Sequence, residues 1–298
     1  MIAILGATGY MGRSLARSLV TDRRSICLFA REPSKLANEP WPSHVSCHTL
    51  SDFRASHFEL IINAIGAGDP ARVAAIGADI LDVTYTWDHL ILTSMNYNAR
   101  YVYLSSGIVY GTFEFPMNAD GVLTLPMNHL ETVSPYLISK LYAEACHRFA
   151  PDRPILDVRV FGYADAGIDI HGSFFLAQLA RSVVKGTPFV TLRSEMVRDY
   201  AGARELHELI DCWERAAAPN CAVDLYTRGP VSKSILLQHA IARYGIEVHY
   251  SEALDTSPTG AKPIYSSRNS GAAALGYGPT RDALQVVLDV LDNIRPAD

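Results

Sequence analysis

The chain has 298 residues, 49% of them hydrophobic and 19% charged, with a formal net charge of -5. That make-up belongs to a folded globular protein with ample core, and the negative balance argues against a general nucleic-acid binder. No apolar run is long enough to span a bilayer, and the opening MIAILGATGYMG runs straight into a strand with no basic leader, so a cytoplasmic protein with no membrane partner is expected.

Short apolar runs alternate with helical patterns through the first half. IAILG (2–6), ICLFA (26–30), VSCHTL (45–50), LIINAIG (60–66), YVYLSS (101–106) and ILDVRVFGY (155–163) read as strands, and helices are expected near 11–21, 71–95 and 135–150. Strands that are apolar nearly throughout suit a parallel sheet covered on both faces. The alternation predicts an α/β fold, a doubly wound parallel sheet of the Rossmann type over residues 1–165. After Tyr163 the rhythm changes. GSFFLAQLARSVVKG (172–186) and RELHELIDCWERAA (204–217) read as helices, AVDLYTRG (222–229) and IEVHYSE (246–252) as strands, and RDALQVVLDVLDNI (281–294) as an amphipathic helix. Residues 166–298 are therefore expected to form mainly a smaller mixed α/β substrate-binding cap, with about 221–245 returning to the sheet.

GATGYMG places Gly6, Gly9 and Gly12 between the first strand and the first helix. Gly6 allows a tight turn, Gly9 lets backbone approach a pyrophosphate, and Gly12 permits close helix–strand packing. Free N–H groups at the helix start then favour phosphate. The loop Gly6, Thr8, Gly9, Tyr10, Met11 and Gly12 is thus a candidate dinucleotide cradle; a plain glycine-rich turn is the competing reading. The second strand ends in LFARE. An acidic residue there would bind ribose hydroxyls, whereas Ala30 and Arg31 occupy the position. Arg31 favours NADP(H), with NAD(H) as the alternative.

SPYLISKLYAEACHRF (134–149) carries Tyr136 one turn before Lys140. Residues four apart share a helix face, so the two can act together. Ser134 suits the N-cap and Pro135 the first turn. Leu137, Leu141, Ala145 and Phe149 read as the apolar stripe. A free phenol, with a pKa near 10, is a poor acid–base group at neutral pH; a neighbouring ammonium would favour the phenolate. YLSSGIVYG (103–111) ends a strand of the same sheet in consecutive serines, where open α/β sheets place their sites. A serine there can orient a substrate oxygen and stabilise charge on it.

On these residues the sequence resembles the extended short-chain dehydrogenase/reductases, the NAD(P)-dependent nucleotide-sugar epimerases, dehydratases and 4-ketoreductases. The resemblance rests on Gly6, Gly9 and Gly12, on YLSSGIVYG, on Tyr136 and Lys140, and on VRDY (197–200). It implies Ser106, Tyr136 and Lys140 as the catalytic set. It implies cofactor contacts at Ala64, Ile65 and Gly66 in NAIGAG and at Phe161 in RVFGY, as well as at Tyr136 and Lys140. It implies substrate contacts at Ser106, Gly107, Tyr163, Ser173 and Arg198, with Tyr163 open to a plain packing role. RDYAGARE departs from the family pattern after the arginine, and no phosphate-binding arginine is obvious before the C-terminal helix, Arg268 being a candidate stand-in.

Gly107 and Ile108 stand where the resembling dehydratases carry Asp-Glu, so elimination of water is not expected. With Arg31 at the cofactor position, the favoured reaction is an NAD(P)H-dependent reduction of a nucleotide-diphosphate 4-keto-6-deoxy sugar. The alternatives are a 4-epimerase that retains its cofactor and a non-catalytic NAD(P)-binding regulatory protein. The resemblance also implies a homodimer packed through the Tyr136 helix and the segment 79–95. His129, His147, His171 and His207 share no ligand spacing, and Cys27, Cys47, Cys146, Cys212 and Cys221 are scattered, so free thiols and no metal site are expected. Asn128 and His129 read as pocket lining or surface loop. Phe174, Phe175, Trp87 and Trp213 read as packing.

Overall fold

The computed structural model describes residues 1–68, 70–112, 114–251 and 263–294. Its strands are β1 (Ile2–Leu5), β2 (Ile26–Ala30), β3 (Val45–Thr49), β4 (Leu60–Asn63), β5 (Arg100–Ser106), β6 (Ile155–Val160), β7 (Gly162–Tyr163), β8 (Phe189–Leu192), β9 (Val197–Arg198), β10 (Tyr200–Ala201), β11 (Cys221–Leu225), β12 (Val231–Ser232), β13 (Val248–Ser251) and β14 (Ile264–Tyr265). Its helices are α1 (Tyr10–Leu19), α2 (Pro70–Ile76), α3 (Asp79–Ser94), α4 (Pro135–Arg148), α5 (Phe175–Lys185), α6 (Ala203–Arg215), α7 (Lys233–Tyr244) and α8 (Ala283–Ile294).

Seven of these strands form one parallel sheet in the order β11-β6-β5-β4-β1-β2-β3. The reason lies in the alternation of side chains across a strand. Ile2 and Ile4 enter one apolar cluster with Leu15 and Leu19 of α1 and Leu209 and Trp213 of α6. Ala3 and Leu5 enter the opposite cluster with Ile91 of α3 and Ala143 of α4. Both faces are covered, so the central strands are largely apolar, and the polar side chains they bury, such as Asn63, Ser105 and Asp157, are hydrogen-bonded.

The cap has its own core. Leu176 and Leu179 of α5, Leu236 and Leu237 of α7, and Val286, Val287 and Leu291 of α8 pack there, with Phe174 and Phe175 half-buried at its edge. Residues 221–225 join the main sheet beside β6, whereas α7 packs in this second core. Trp213 is fully buried, and Trp87 packs half-buried against the sheet.

Several sequence expectations change, and the strand expected over 222–229 ends at Leu225. The helix expected over 71–95 is two helices, α2 and α3, separated at Gly77, whose φ is 53°. The strand expected over 155–163 ends at Val160; Gly162 and Tyr163 leave the sheet to pair with β10 in the cap. The helix expected from Gly172 begins at Phe175 and ends at left-handed Gly186, as expected. Glu252, last in the expected strand 246–252, lies outside the described residues. Among the described residues no helix is long and apolar enough to cross a membrane.

Candidate functional site

The carboxyl ends of β1, β4 and β5 converge on one place. After β1, Gly6 adopts a φ of 77°, and a β-carbon on it would lie 2.7 Å from the Ala64 carbonyl oxygen. A β-carbon on Gly12 would lie 2.4 Å from the Gly6 carbonyl oxygen. Side chains at these two positions would therefore strike backbone. Gly9 occupies the N-cap of α1, without a side-chain cap and with no acidic residue in the first turn. The helix start thus presents backbone donors and the positive dipole end, the arrangement that receives a pyrophosphate. Thr8 and Met11 are half-buried in this turn.

The β4 loop closes the other side. Asn63 is buried; its Oδ1 accepts from the Ile65 N–H at 3.0 Å, and its Nδ2 donates to Tyr101 at 2.9 Å. This holds Ala64, Ile65 and Gly66 in place. A β-carbon on Gly66 would sit 3.8 Å from Lys140 Nζ, so the loop lies directly beside that ammonium. At the end of β2, Arg31 is exposed. Glu32, the nearest carboxylate, is paired with Lys35 at 2.9 Å, and Arg13 donates to the Lys35 carbonyl.

Ser106 ends β5 and is 8% exposed. Its Oγ accepts from the Ile108 N–H at 3.2 Å. Tyr136 lies in the first turn of α4, its phenol near enough to Ser106 for that hydroxyl to draw its pKa down. Lys140, one turn further, is buried and donates to the Leu104 carbonyl at 2.7 Å. Its Nζ stands 4.4 Å from the Tyr103 ring centre and 5.6 Å from that of Tyr136. The structure therefore brings Ser106, Tyr136, Lys140 and Gly66 together.

The electrostatics differ from the sequence expectation. Burial pushes the Tyr136 phenol up to about 12, and the Ser106 hydrogen bond only partly offsets this. Burial also pulls Lys140 down to about 8 against the attraction of Glu144, Asp157 and Asp88. Desolvation outweighs the neighbouring ammonium here, so the phenol is protonated across the neutral range. It stands ready as a proton donor.

The buried face of α4 is also not the expected one. Phe149 is 89% exposed and Ala145 is exposed. The helix instead buries Leu137, Lys140, Ala143, Glu144 and His147. Partners on the sheet make this possible. Glu144 accepts from Ser105 at 2.5 Å and from the Arg159 fork at 2.6 to 3.1 Å. His147 stands between Asp157 and Asp88. Ser134 holds the N-cap position, but its side chain makes no capping bond.

Gly107 lies under the Phe161 ring; a β-carbon there would come within 2.7 Å of it. The site cannot take the Asp of a dehydratase at this position without moving that ring. Phe161 stacks on Tyr110 and meets Tyr265 at 5.2 Å. Tyr265 is a residue the sequence reading missed. Its hydroxyl is 3.4 Å from Ser106 Oγ. It arrives on β14, whose pairing with β9 sets Tyr265 opposite Arg198. No local motif announces it, because 159 residues separate it from Ser106. Arg268, by contrast, is exposed.

The side chains of three residues expected at cofactor or substrate are engaged away from the Ser106–Lys140 cluster, Tyr10 keeping its backbone in the glycine turn. Tyr163 is buried against α1, its hydroxyl 2.8 Å from Ser14, which donates to Asp165 at 2.6 Å. The Tyr10 hydroxyl donates to the Asp165 carbonyl and accepts its N–H at 2.7 Å. Both phenols therefore serve the seam between α1 and the cap. Ser173 is exposed before α5, where its carbonyl accepts from Gln178. No described contact joins any of the three to Ser106, Tyr136 or Lys140.

A family model for the NAD dependent epimerase/dehydratase family matches residues 2–213, and the chain belongs to that family. The solved structure of UDP-glucuronic acid 4-epimerase from Bacillus cereus, in complex with UDP-glucuronic acid and NAD, superposes with a TM-score of 0.76 at 14% identity, over 98% of each chain. UDP-glucose 4-epimerase from Thermotoga maritima, with UDP-glucose, gives 0.77 at 15% identity, over 98% of this chain and 97% of its own. RMD from Pseudomonas aeruginosa, complexed with NADPH, gives 0.72 at 16% identity, over 99% of each. No curated protein sequence matches the chain. At these identities the neighbours establish the fold: a Rossmann-type α/β sheet with a cap.

Proposed function

We propose that the protein is an NAD(P)-dependent nucleotide-sugar 4-epimerase, with Tyr136 as its acid and base. The observation that carries this reading is the convergence of Ser106, Tyr136 and buried Lys140 beside the Gly66 loop. Two neighbours that act on the C4 centre of UDP-sugars favour epimerisation over the net reduction preferred from sequence. The glycine turn and the Lys140 pocket fit a dinucleotide, which supplies the hydride acceptor and donor when bound. Burial alone keeps Tyr136 protonated, so it takes the C4 hydroxyl proton only as a phenolate, the form that Lys140 and the positive charge of an oxidised nicotinamide would favour, and it returns that proton as the ketone is reduced. Ser106 holds the reacting oxygen, and Lys140 neighbours the ribose and the phenol. Arg198, opposite Tyr265 in the β9–β14 pairing, would meet the substrate diphosphate.

Arg31 supports a second reading. An exposed guanidinium at the end of β2, with the nearest carboxylate already paired, suits the 2′-phosphate of NADP(H) and hence a 4-ketoreductase that exchanges cofactor each turnover. The catalytic trio counts against a purely regulatory binding protein. The test incubates the protein with UDP-glucose or UDP-glucuronic acid and catalytic NAD or NADP. Appearance of the C4 epimer by NMR without net change in nicotinamide absorbance supports the epimerase. NADPH consumption in step with a 4-keto-6-deoxy nucleotide sugar supports the reductase. Neither outcome across the common nucleotides would sink both.

A further inference from the structure

A chain of buried hydrogen bonds runs from beneath the site to the loop after β4, and it has a direction. The Ala64 N–H still pairs with the Leu5 carbonyl at 3.0 Å, but the Ile65 N–H goes to a side chain, Asn63 Oδ1, at 3.0 Å. A backbone N–H can be met only by an acceptor, so the Asn63 amide must turn its oxygen to Ile65 and its Nδ2 the other way. That Nδ2 donates to the Tyr101 hydroxyl at 2.9 Å. Tyr101 therefore accepts on this side and must send its single proton elsewhere; it donates to Asp88 Oδ1 on α3 at 2.7 Å. Burial and the Asp88 charge push the Tyr101 phenol well above its ordinary range, so that proton is in place. His147 Nε2 holds the same Asp88 oxygen at 2.9 Å. Asn63, Asp88, Tyr101 and His147 are each at most 3% exposed, so bulk water cannot stand in for a lost partner.

We propose that Asp88 and Tyr101 are positioning residues for the dinucleotide: by accepting the phenolic proton, Asp88 fixes which way the Asn63 amide faces and so holds the 64–66 loop in its cofactor-receiving form. This rests on the dinucleotide-dependent reading above. Without an acceptor at position 88, the Tyr101 hydroxyl can donate toward Asn63 instead. The amide then turns its oxygen to Tyr101, and Nδ2 confronts the Ile65 N–H, donor against donor. The loop is packed on both sides and cannot absorb this quietly. The Ala64 carbonyl oxygen lies 2.7 Å from where a β-carbon on Gly6 would be, and the Ala64 methyl 3.3 Å from one on Gly12. On the far side Lys140 Nζ neighbours Gly66. A shift at Ile65 is therefore felt at the glycine turn and at Lys140 together.

The experiment titrates the whole protein with NAD and with NADPH by calorimetry, with circular dichroism to check that each variant is folded. Asp88→Leu should raise the Kd of whichever dinucleotide the wild type binds about three- to tenfold, the scale of one net hydrogen bond. Adding Asn63→Asp should bring Kd back to within about twofold, because a carboxylate accepts from Tyr101 and Ile65 alike and needs no direction imposed by Asp88. Lost packing at position 88 would not be repaired in this way. Tyr101→Phe should raise Kd by the same factor, and here Asn63→Asp should not restore it, since the hydroxyl that would meet the new oxygen is gone. Should Asp88→Leu fail to fold, Tyr101→Phe with and without Asn63→Asp carries the test. The proposal alone is overturned if the wild type binds dinucleotide and Tyr101→Phe leaves Kd unchanged. It is equally overturned if Asn63→Asp restores both variants, or fails to restore a folded Asp88→Leu. A wild type that binds neither dinucleotide overturns it together with the reading it rests on.

Discussion

Beneath the candidate site lies a fully buried histidine with a carboxylate on each ring nitrogen. His147 Nδ1 is 2.6 Å from Asp157 Oδ1, and its Nε2 is 2.9 Å from Asp88 Oδ1. Asp157 also accepts from Arg148, and Asp88 from Tyr101. Burial alone would lower the imidazole pKa, but the two carboxylates win and raise it from 6.5 to about 9. A group raised in the fold stabilises fully below its unfolded value and loses that contribution as pH climbs through the folded one. The interval is worth about 3 kcal/mol at about 1.4 kcal/mol per pH unit, less a part offset by Asp157, whose carboxyl burial pushes up. Lys140 works the other way. Its folded pKa of about 8 lies below the free 10.5, so its penalty is relieved above pH 8. Stability should therefore fall by up to about 2 kcal/mol between pH 6.5 and 8, then level off as Lys140 compensates. Urea melts followed by circular dichroism at pH 6.5, 8 and 9 read this directly. His147→Gln should cost roughly 3–5 kcal/mol at pH 6.5, because two buried carboxylates lose their cation, and should erase the decline. A flat or rising profile from 6.5 to 8, or an unchanged slope in the variant, would refute the reasoning.

Gly12→Ala drives a β-carbon to 2.4 Å from the Gly6 carbonyl oxygen, so the cradle must shift; dinucleotide affinity by fluorescence titration should drop at least about tenfold, as for a roughly 1–3 kcal/mol overpacking strain. Arg31→Ala should weaken NADPH about tenfold and leave NADH unchanged, the expected loss of one phosphate-paired guanidinium; equal effects on both would remove the 2′-phosphate assignment. Leu81, Tyr85, Leu90 and Tyr142 leave an exposed apolar face on α3 and α4, and we propose that it forms a homodimer. Tyr85→Glu should then convert a dimer to a monomer in sedimentation velocity, whereas a wild-type monomer at micromolar concentration would discard the idea.

The parts of the fold that were legible in the sequence are those set by local chemistry. Strand β2 is bounded as expected because an unbroken apolar run between polar flanks has one stable placement in a covered sheet. The glycine turn was legible because backbone contact forbids side chains there. The buried face of α4 was not. Its leucines and Phe149 suggested one stripe, but Lys140, Glu144 and His147 are buried because Leu104, Arg159, Asp88 and Asp157, distant in sequence, satisfy them. Tyr163 stayed open between contact and packing for a related reason. RVFGY looks continuous, yet the chain turns out of the sheet after Val160, carrying the phenol to Ser14. The direction of the Tyr136 pKa was also hidden, since pairing with a cation is visible in the spacing while burial is not. Tyr265 belongs to the same class, being delivered by a strand pairing in the cap.

The claim on which the account depends is that the Tyr136 hydroxyl carries the proton. Single-turnover measurement of Tyr136→Phe, holding cofactor and UDP-sugar at saturation, tests it most directly. The account predicts that sugar and dinucleotide still bind while the chemical rate falls on the order of 10²–10⁴-fold, the range for removal of a positioned acid–base group. A variant that turns over at the wild-type rate would contradict it.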